Sequence, residues 1–63
     1  MRILKRIEGY DLEDVANEMA STYGGTVDNW YTKDGKLIVE YTEYGEQCVC
    51  ELPLSEVKSF MEM

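Results

Sequence analysis

Between residues 12 and 23 the apolar side chains Leu12, Val15, Ala16, Met19, Ala20 and Tyr23 recur at spacings of three and four, the signature of one buried face on an α-helix. Glu13, Asp14, Asn17, Glu18 and Ser21 fall on the opposite side, so the exposed face of this helix is acidic. Asp11 stands where an N-cap belongs, with Glu13 and Asp14 favourably placed in the first turn. The pair Gly24 and Gly25 stands where a C-terminal cap belongs.

The period then changes from 3.6 to 2. "KDGK" marks Asp34 and Gly35 as a two-residue hairpin turn, and "EYGE" marks Tyr44 and Gly45 as another. Pairing outward from the first turn sets Thr32 against Leu37, Trp30 against Val39 and Asp28 against Tyr41. Pairing outward from the second sets Tyr41 against Cys48, Val39 against Cys50 and Leu37 against Leu52. Both turns therefore select one buried face, made of Trp30, Leu37, Val39, Tyr41, Cys48, Cys50 and Leu52. The other face carries Asn29, Tyr31, Ile38, Glu40, Thr42, Gln47, Val49 and Glu51, polar with an apolar minority.

Pro53 closes the third strand, and "LSEVKSFMEM" restarts as a short helix with Ser55 as N-cap and Val57, Phe60 and Met61 facing inward. Residues 2–7, "RILKRI", alternate as a further strand would, although Ile3, Leu4 and Ile7 also suit a helical turn. The expected architecture is α+β, a single domain over residues 1–63 in the order (β)αβββα. A small single-layer antiparallel three-stranded sheet, with residues 2–7 as a candidate fourth N-terminal strand, carries two helices packed on one face.

Composition sharpens this picture. The 63 residues are 44% hydrophobic with a Trp, a Phe and five Tyr, too apolar and aromatic for a disordered tail. A chain of this size has a marginal core, and a partner, metal or disulfide often supplements one. Thirteen acidic residues stand against six basic ones, and Arg2, Lys5 and Arg6 supply half of the positive charge, so residues 7–63 carry a net charge of minus ten. Such a surface repels phosphate backbones and anionic membranes and attracts basic partners. The N-terminal "MRILKRI" has no apolar run long enough for a signal peptide or membrane span, and the expectation is a cytoplasmic protein.

The stretch that looks most chemical is "QCVCEL". A structural zinc site needs four ligands, and this chain has no His and no third Cys. Positions i and i+2 of a strand stand roughly 6–7 Å apart, at the limit of what a disulfide spans. A catalytic thiol needs a cationic neighbour, and Lys58 is the only cation beyond residue 36. The cysteines read as small buried hydrophobes. Glu40 and Glu51 share the outward face, but a single sheet with one helical layer offers little room for a pocket that would push their pKa values apart. "DNWYTKDGK" puts Trp30 and Thr32 where a calcium loop needs its first acidic ligands, and "TYGGT" lacks the lysine and spacing of a phosphate cradle. The expectation is a non-enzymatic protein with no metal and no cofactor.

In element order the chain resembles the double-stranded RNA-binding domain, over most of its length. That family's last helix begins with lysines, whereas "PLSEVKSF" offers Lys58 beside Glu56, and the first helix here is acidic. The resemblance is therefore one of layout and does not carry RNA binding.

What remains is the surface. The candidate partner-binding residues are Glu13, Asp14 and Glu18 on the first helix, Tyr31, Ile38, Glu40, Val49 and Glu51 on the open sheet face, and Glu43, Tyr44 and Glu46 around the second turn. Tyrosines within a charged rim suit protein interfaces, although charge of this kind also serves plain solubility. In size, charge and helix-plus-hairpin build the chain looks like the small acidic inhibitors that phages use against restriction or CRISPR nucleases, in which carboxylates stand in for phosphates. The expected function is inhibition of a nucleic-acid-handling protein by nucleic-acid mimicry. The alternative is a small regulatory or structural subunit that uses its open sheet face for a partner or a homodimer.

Overall fold

The computed structural model describes residues 6–63. Its elements are β1 (Arg6–Ile7), β2 (Tyr10–Asp11), α1 (Leu12–Thr22), β3 (Thr26–Lys33), β4 (Lys36–Glu43), β5 (Glu46–Pro53), a 3₁₀ turn (Leu54–Glu56) and α2 (Val57–Met61). The sheet order is β3-β4-β5, all antiparallel, and β1 and β2 form a separate antiparallel pair. The α+β layout with helices against one sheet face is the expected one. The fourth strand is different: Arg6 pairs with Asp11 and Ile7 with Tyr10, so this segment folds on itself instead of extending the sheet. Residues 2–5 of the expected strand lie outside the described residues.

Three two-residue hairpins share one geometry. Glu8 and Gly9, Asp34 and Gly35, and Tyr44 and Gly45 all have positive φ, from 52° to 85°, which is the type I′ pattern whose twist matches antiparallel strands. Sequence reasoning found the second and third of these. "IEGY" carries the same X-Gly signal, but only two-residue strands flank it.

The register of β4 with β5 is the expected one throughout. On the β3 side, Thr32–Leu37 and Trp30–Val39 pair as expected, but Val27, not Asp28, stands opposite Tyr41. A β-bulge between Val27 and Asn29 makes the difference. Strict alternation would aim the Asp28 carboxylate at the core, where an unpaired charge is costly. The bulge turns Val27 inward against the core and leaves Asp28 exposed.

The core is Leu12, Val15, Ala16 and Met19 of α1, Leu37 and Val39 of β4, and Val57 of α2, with Trp30, Cys50, Leu52, Phe60 and Met61 packed half-buried around it. Six of these residues, Leu12, Val15, Ala16, Leu37, Val39 and Val57, are fully buried. α1 ends in a Schellman motif: Gly25 N–H donates to Ala20 O at 2.9 Å and Gly24 N–H to Ser21 O at 3.0 Å, with Gly24 at φ 80°. Tyr23, expected in the buried stripe, is the C-cap residue and half exposed, and its ring stacks on Tyr41 at 5.6 Å.

Two expected caps are absent as side-chain interactions. Asp11 occupies the N-cap position of α1 but makes no side-chain cap hydrogen bond, being held extended as the last residue of β2. Ser55 lies inside the 3₁₀ turn, so Glu56 takes the N-cap position of α2. The turn is anchored instead by Leu54 N–H, which donates to Gly35 O at 2.9 Å. Tyr10 Oη donates to Glu62 Oε2 at 2.6 Å and so ties β2 to the end of the chain.

Candidate partner-binding surfaces

With extents of 32 × 31 × 16 Å the molecule is a slab, one sheet layer and one helical layer thick. The expected site residues therefore fall on separate surfaces. Glu13, Asp14 and Glu18 are exposed on the outer side of α1, while Tyr31, Ile38, Glu40, Val49 and Glu51 lie on the opposite side of the slab. Glu43, Tyr44 and Glu46 sit at the β4–β5 end. No single flat partner surface touches both broad faces at once.

The helical side is acidic. α1 contains no cation, and α2 adds Lys58, followed by Glu62 and preceded by Glu56. Between the two helices runs a groove of about 360 Å³ lined by Glu18, Thr22, Phe60, Met61 and Met63. The groove was not foreseen from the sequence, which placed Phe60 and Met61 wholly inward. Their periodicity identifies a buried side, whereas the outer rims they share with the 95%-exposed Met63 depend on how far a five-residue helix can cover them.

The open sheet face has a different character. Lys33 and Lys36 stand at the β3–β4 turn, Tyr31, Ile38 and Glu51 form the next row, Asn29, Glu40 and Val49 the next, and Asp28, Thr42 and Gln47 the far end. Ile38, expected as an exposed apolar contact, is only 9% exposed, because the central strand places it between Tyr31 and Glu51. Val49, on an edge strand, is 66% exposed and Tyr31 38%. Lys36 Nζ pairs with Glu51 Oε1 at 3.3 Å, the only ion pair among the described residues. Thr42 Oγ1 donates to Asp28 Oδ2 at 2.6 Å, so the bulge that removes Asp28 from the core also gives its carboxylate a partner.

At the β4–β5 turn Tyr44 is 93% exposed, with φ 52°. A bulky side chain in the left-handed region is an outlier, since Asn, Asp or Gly normally occupies this turn position.

The titrating groups that shift are all neutral acids held neutral. Tyr10 is raised from its ordinary value of 10.0, mainly because its hydroxyl donates to the Glu62 carboxylate. Tyr41 is raised mainly by burial, with Cys48 and Cys50 adding to the effect. Burial, and then the neighbouring Cys48, raises the Cys50 thiol. Both cysteines are free and only half-buried, less covered than the buried side chains expected from the sequence, and of the two Cys50 packs against the core. Among the described residues no polar or charged side chain is buried, and no group of three His, Cys, Asp or Glu side chains is arranged to hold a metal. No helix among them is long and apolar enough to cross a membrane. What the arrangement offers chemically is surface: an acidic helical side with an apolar groove, and a sheet face whose two lysines, Lys33 and Lys36, gather at one end beside Asp34 and Glu51. No family model, curated protein or solved structure matches the chain.

Proposed function

We propose that the protein is a non-enzymatic, cytoplasmic binding module whose acidic helical side engages a basic protein surface, most concretely the nucleic-acid groove of a DNA- or RNA-handling protein. It would act there as an inhibitor of the anti-restriction or anti-CRISPR type. The observation that carries the reading is the uneven distribution of charge over the slab. Glu13, Asp14 and Glu18 are exposed on a helix without a single cation, whereas two of the four cations among the described residues lie on the opposite face.

Carboxylates at positions 14 and 18 stand one helical turn apart and can compete for Lys and Arg side chains that otherwise neutralise phosphates. The Phe60, Met61 and Met63 rims beside Glu18 supply apolar contact, which charge alone lacks. Such binding is steered by charge and must weaken with salt.

The test uses the protein immobilised in low salt against a bacterial lysate, with captured proteins identified and then purified. The reading expects a nucleic-acid-binding protein whose affinity falls steeply with salt and is competed by duplex DNA or structured RNA. It also expects affinity to drop at least tenfold in the triple variant Glu13→Gln, Asp14→Asn, Glu18→Gln. Affinity for that protein that ignores both salt and the triple variant would sink the reading.

A further inference from the structure

We infer that the open face of the β3-β4-β5 sheet is the interface of a symmetric homodimer, its occupant being the same face of a second copy of this chain. The inference rests on the sheet face alone and stands or falls independently of what the helical side binds.

The first argument is charge. On this face Lys33 and Lys36 lie at one end of the strands, where Glu51 pairs with Lys36 and the turn residue Asp34 stands beside them, and Asp28 and Glu40 lie toward the other. Lys33 and Asp28 are separated by about 16 Å, five residues of strand at roughly 3.3 Å each. Consider a two-fold axis in the plane of the sheet, perpendicular to the strands, passing between the Tyr31–Ile38–Glu51 row and the Asn29–Glu40–Val49 row. It lays β3 of one copy over β3 of the other in the reverse direction. Lys33 of each copy then faces the Asp28 end of the other, so the cation without an ion-pair partner among the described residues of one copy meets an anion of the second at both ends of the contact. A two-fold contact must be self-complementary in this sense.

The groups involved are available. Lys36 is already engaged by Glu51, whereas Lys33 has no ion-pair partner among the described residues. Asp28 accepts the Thr42 hydroxyl through Oδ2, which orients the carboxylate and leaves Oδ1 free of hydrogen bonds among the described residues. Near the axis, Tyr31 and Val49 are the exposed apolar side chains, 38% and 66% accessible, that such a contact would cover.

The second argument is size and repulsion. Three eight-residue strands, at about 3.3 Å per residue and about 4.8 Å between strands, give a face of roughly 26 by 15 Å. That is smaller than the roughly 800 Å² per partner of a standard interface, so the expected dimer is a weak one. Chains this short commonly gain from oligomerisation, because one small core buries too little surface. The net charge of minus seven opposes self-association, yet the acids on α1 lie on the far side of a slab 16 Å thick. That separation exceeds the screening length of about 8 Å at physiological ionic strength. Face-to-face pairing leaves both acidic helical sides pointing outward.

The experiment is sedimentation equilibrium of the wild-type chain and of Lys33→Asp and Asp28→Lys, each checked for folding by circular dichroism. The wild type is expected to dimerise at micromolar to sub-millimolar concentration. Each variant alone brings like charges together and is expected to dimerise at least tenfold more weakly. An equimolar mixture of the two restores opposite charges at both contacts and is expected to form the heterodimer with near wild-type affinity. Val49→Asp, at an exposed position that the fold does not need, is expected to weaken the dimer as well. A wild type that stays monomeric at 1 mM (about the upper working limit) overturns the inference, as does a dimer indifferent to Lys33→Asp and Val49→Asp. If Asp28→Lys fails to fold, the wild-type, Lys33→Asp and Val49→Asp measurements still decide the question.

Discussion

Replacing Tyr44 by Asn should stabilise the protein, an unusual outcome for a substitution that removes an aromatic side chain. Tyr44 is the first turn residue of the β4–β5 hairpin, with φ 52°, and it is 93% exposed. A tyrosine buries up to about 150–250 Å² when fully covered, so under a tenth of that, roughly 15 Å², is at stake here. At about 25 cal/mol per Å² its removal costs ~0.4 kcal/mol. Against this stands the left-handed backbone, which costs an ordinary L-residue roughly 1–2 kcal/mol and which Asn adopts with local hydrogen bonding. The net expectation is a gain of about 0.6–1.6 kcal/mol, a rise in Tm of roughly 2–13 °C for a domain of this size. Tyr44→Ala keeps a Cβ without the compensating amide and should lose up to ~0.4 kcal/mol, so the pair of variants separates backbone strain from side-chain contact. Calorimetric melts and urea titrations of the three proteins measure it. If Tyr44→Asn is no more stable than Tyr44→Ala, the left-handed strain assigned to this position is not there. If the gain is found, the native tyrosine is retained at a cost to stability, and its reason for being there lies outside the folded monomer.

Two further outcomes follow from the geometry. Gly25→Ala places a Cβ 2.6 Å from Thr42 O and 2.7 Å from Tyr41 Cδ2, against central-strand backbone, and should cost about 1–3 kcal/mol or more in urea unfolding. Gly45→Ala meets nothing within 4 Å and should show only the left-handed penalty of ~1–2 kcal/mol; the close approach at Gly25, whose φ carries no such penalty, is refuted if Gly25→Ala loses less than ~1 kcal/mol. Raised acid groups hold the fold in their protonated forms, so their contribution is complete below their ordinary values and is lost as pH climbs through the raised ones. Stability should decline from about pH 9 as Cys50 begins to titrate, and further above 10 through Tyr10 and Tyr41. Tyr10→Phe should flatten the upper part of that decline, and thiol labelling at pH 8 should modify Cys48 faster than Cys50.

By itself the sequence determined the elements and most of their pairing. The 3.6-residue stripe of α1, the Gly24–Gly25 stop and the Asp34–Gly35 and Tyr44–Gly45 turns are local signals, because each depends on a few neighbouring residues and their allowed dihedrals. With the turns in place, side-chain alternation selects the face that the helices cover and sets Cys48 and Cys50 on it. Tertiary structure decided what alternation cannot express. The bulge at Asp28 answers a non-local conflict between a charged residue and the core that α1 completes, and alternation alone does not say that Arg6–Ile7 pairs with Tyr10–Asp11 and not with the sheet. Ile38 is nearly covered on a face that alternation calls open, because a central strand has neighbours on both sides while the edge residue Val49 has one. The charge pattern divides in the same way. Its total is composition, but the gathering of Glu13, Asp14 and Glu18 on one side of the slab and of Lys33 and Lys36 at one end of the other exists only once the elements pack.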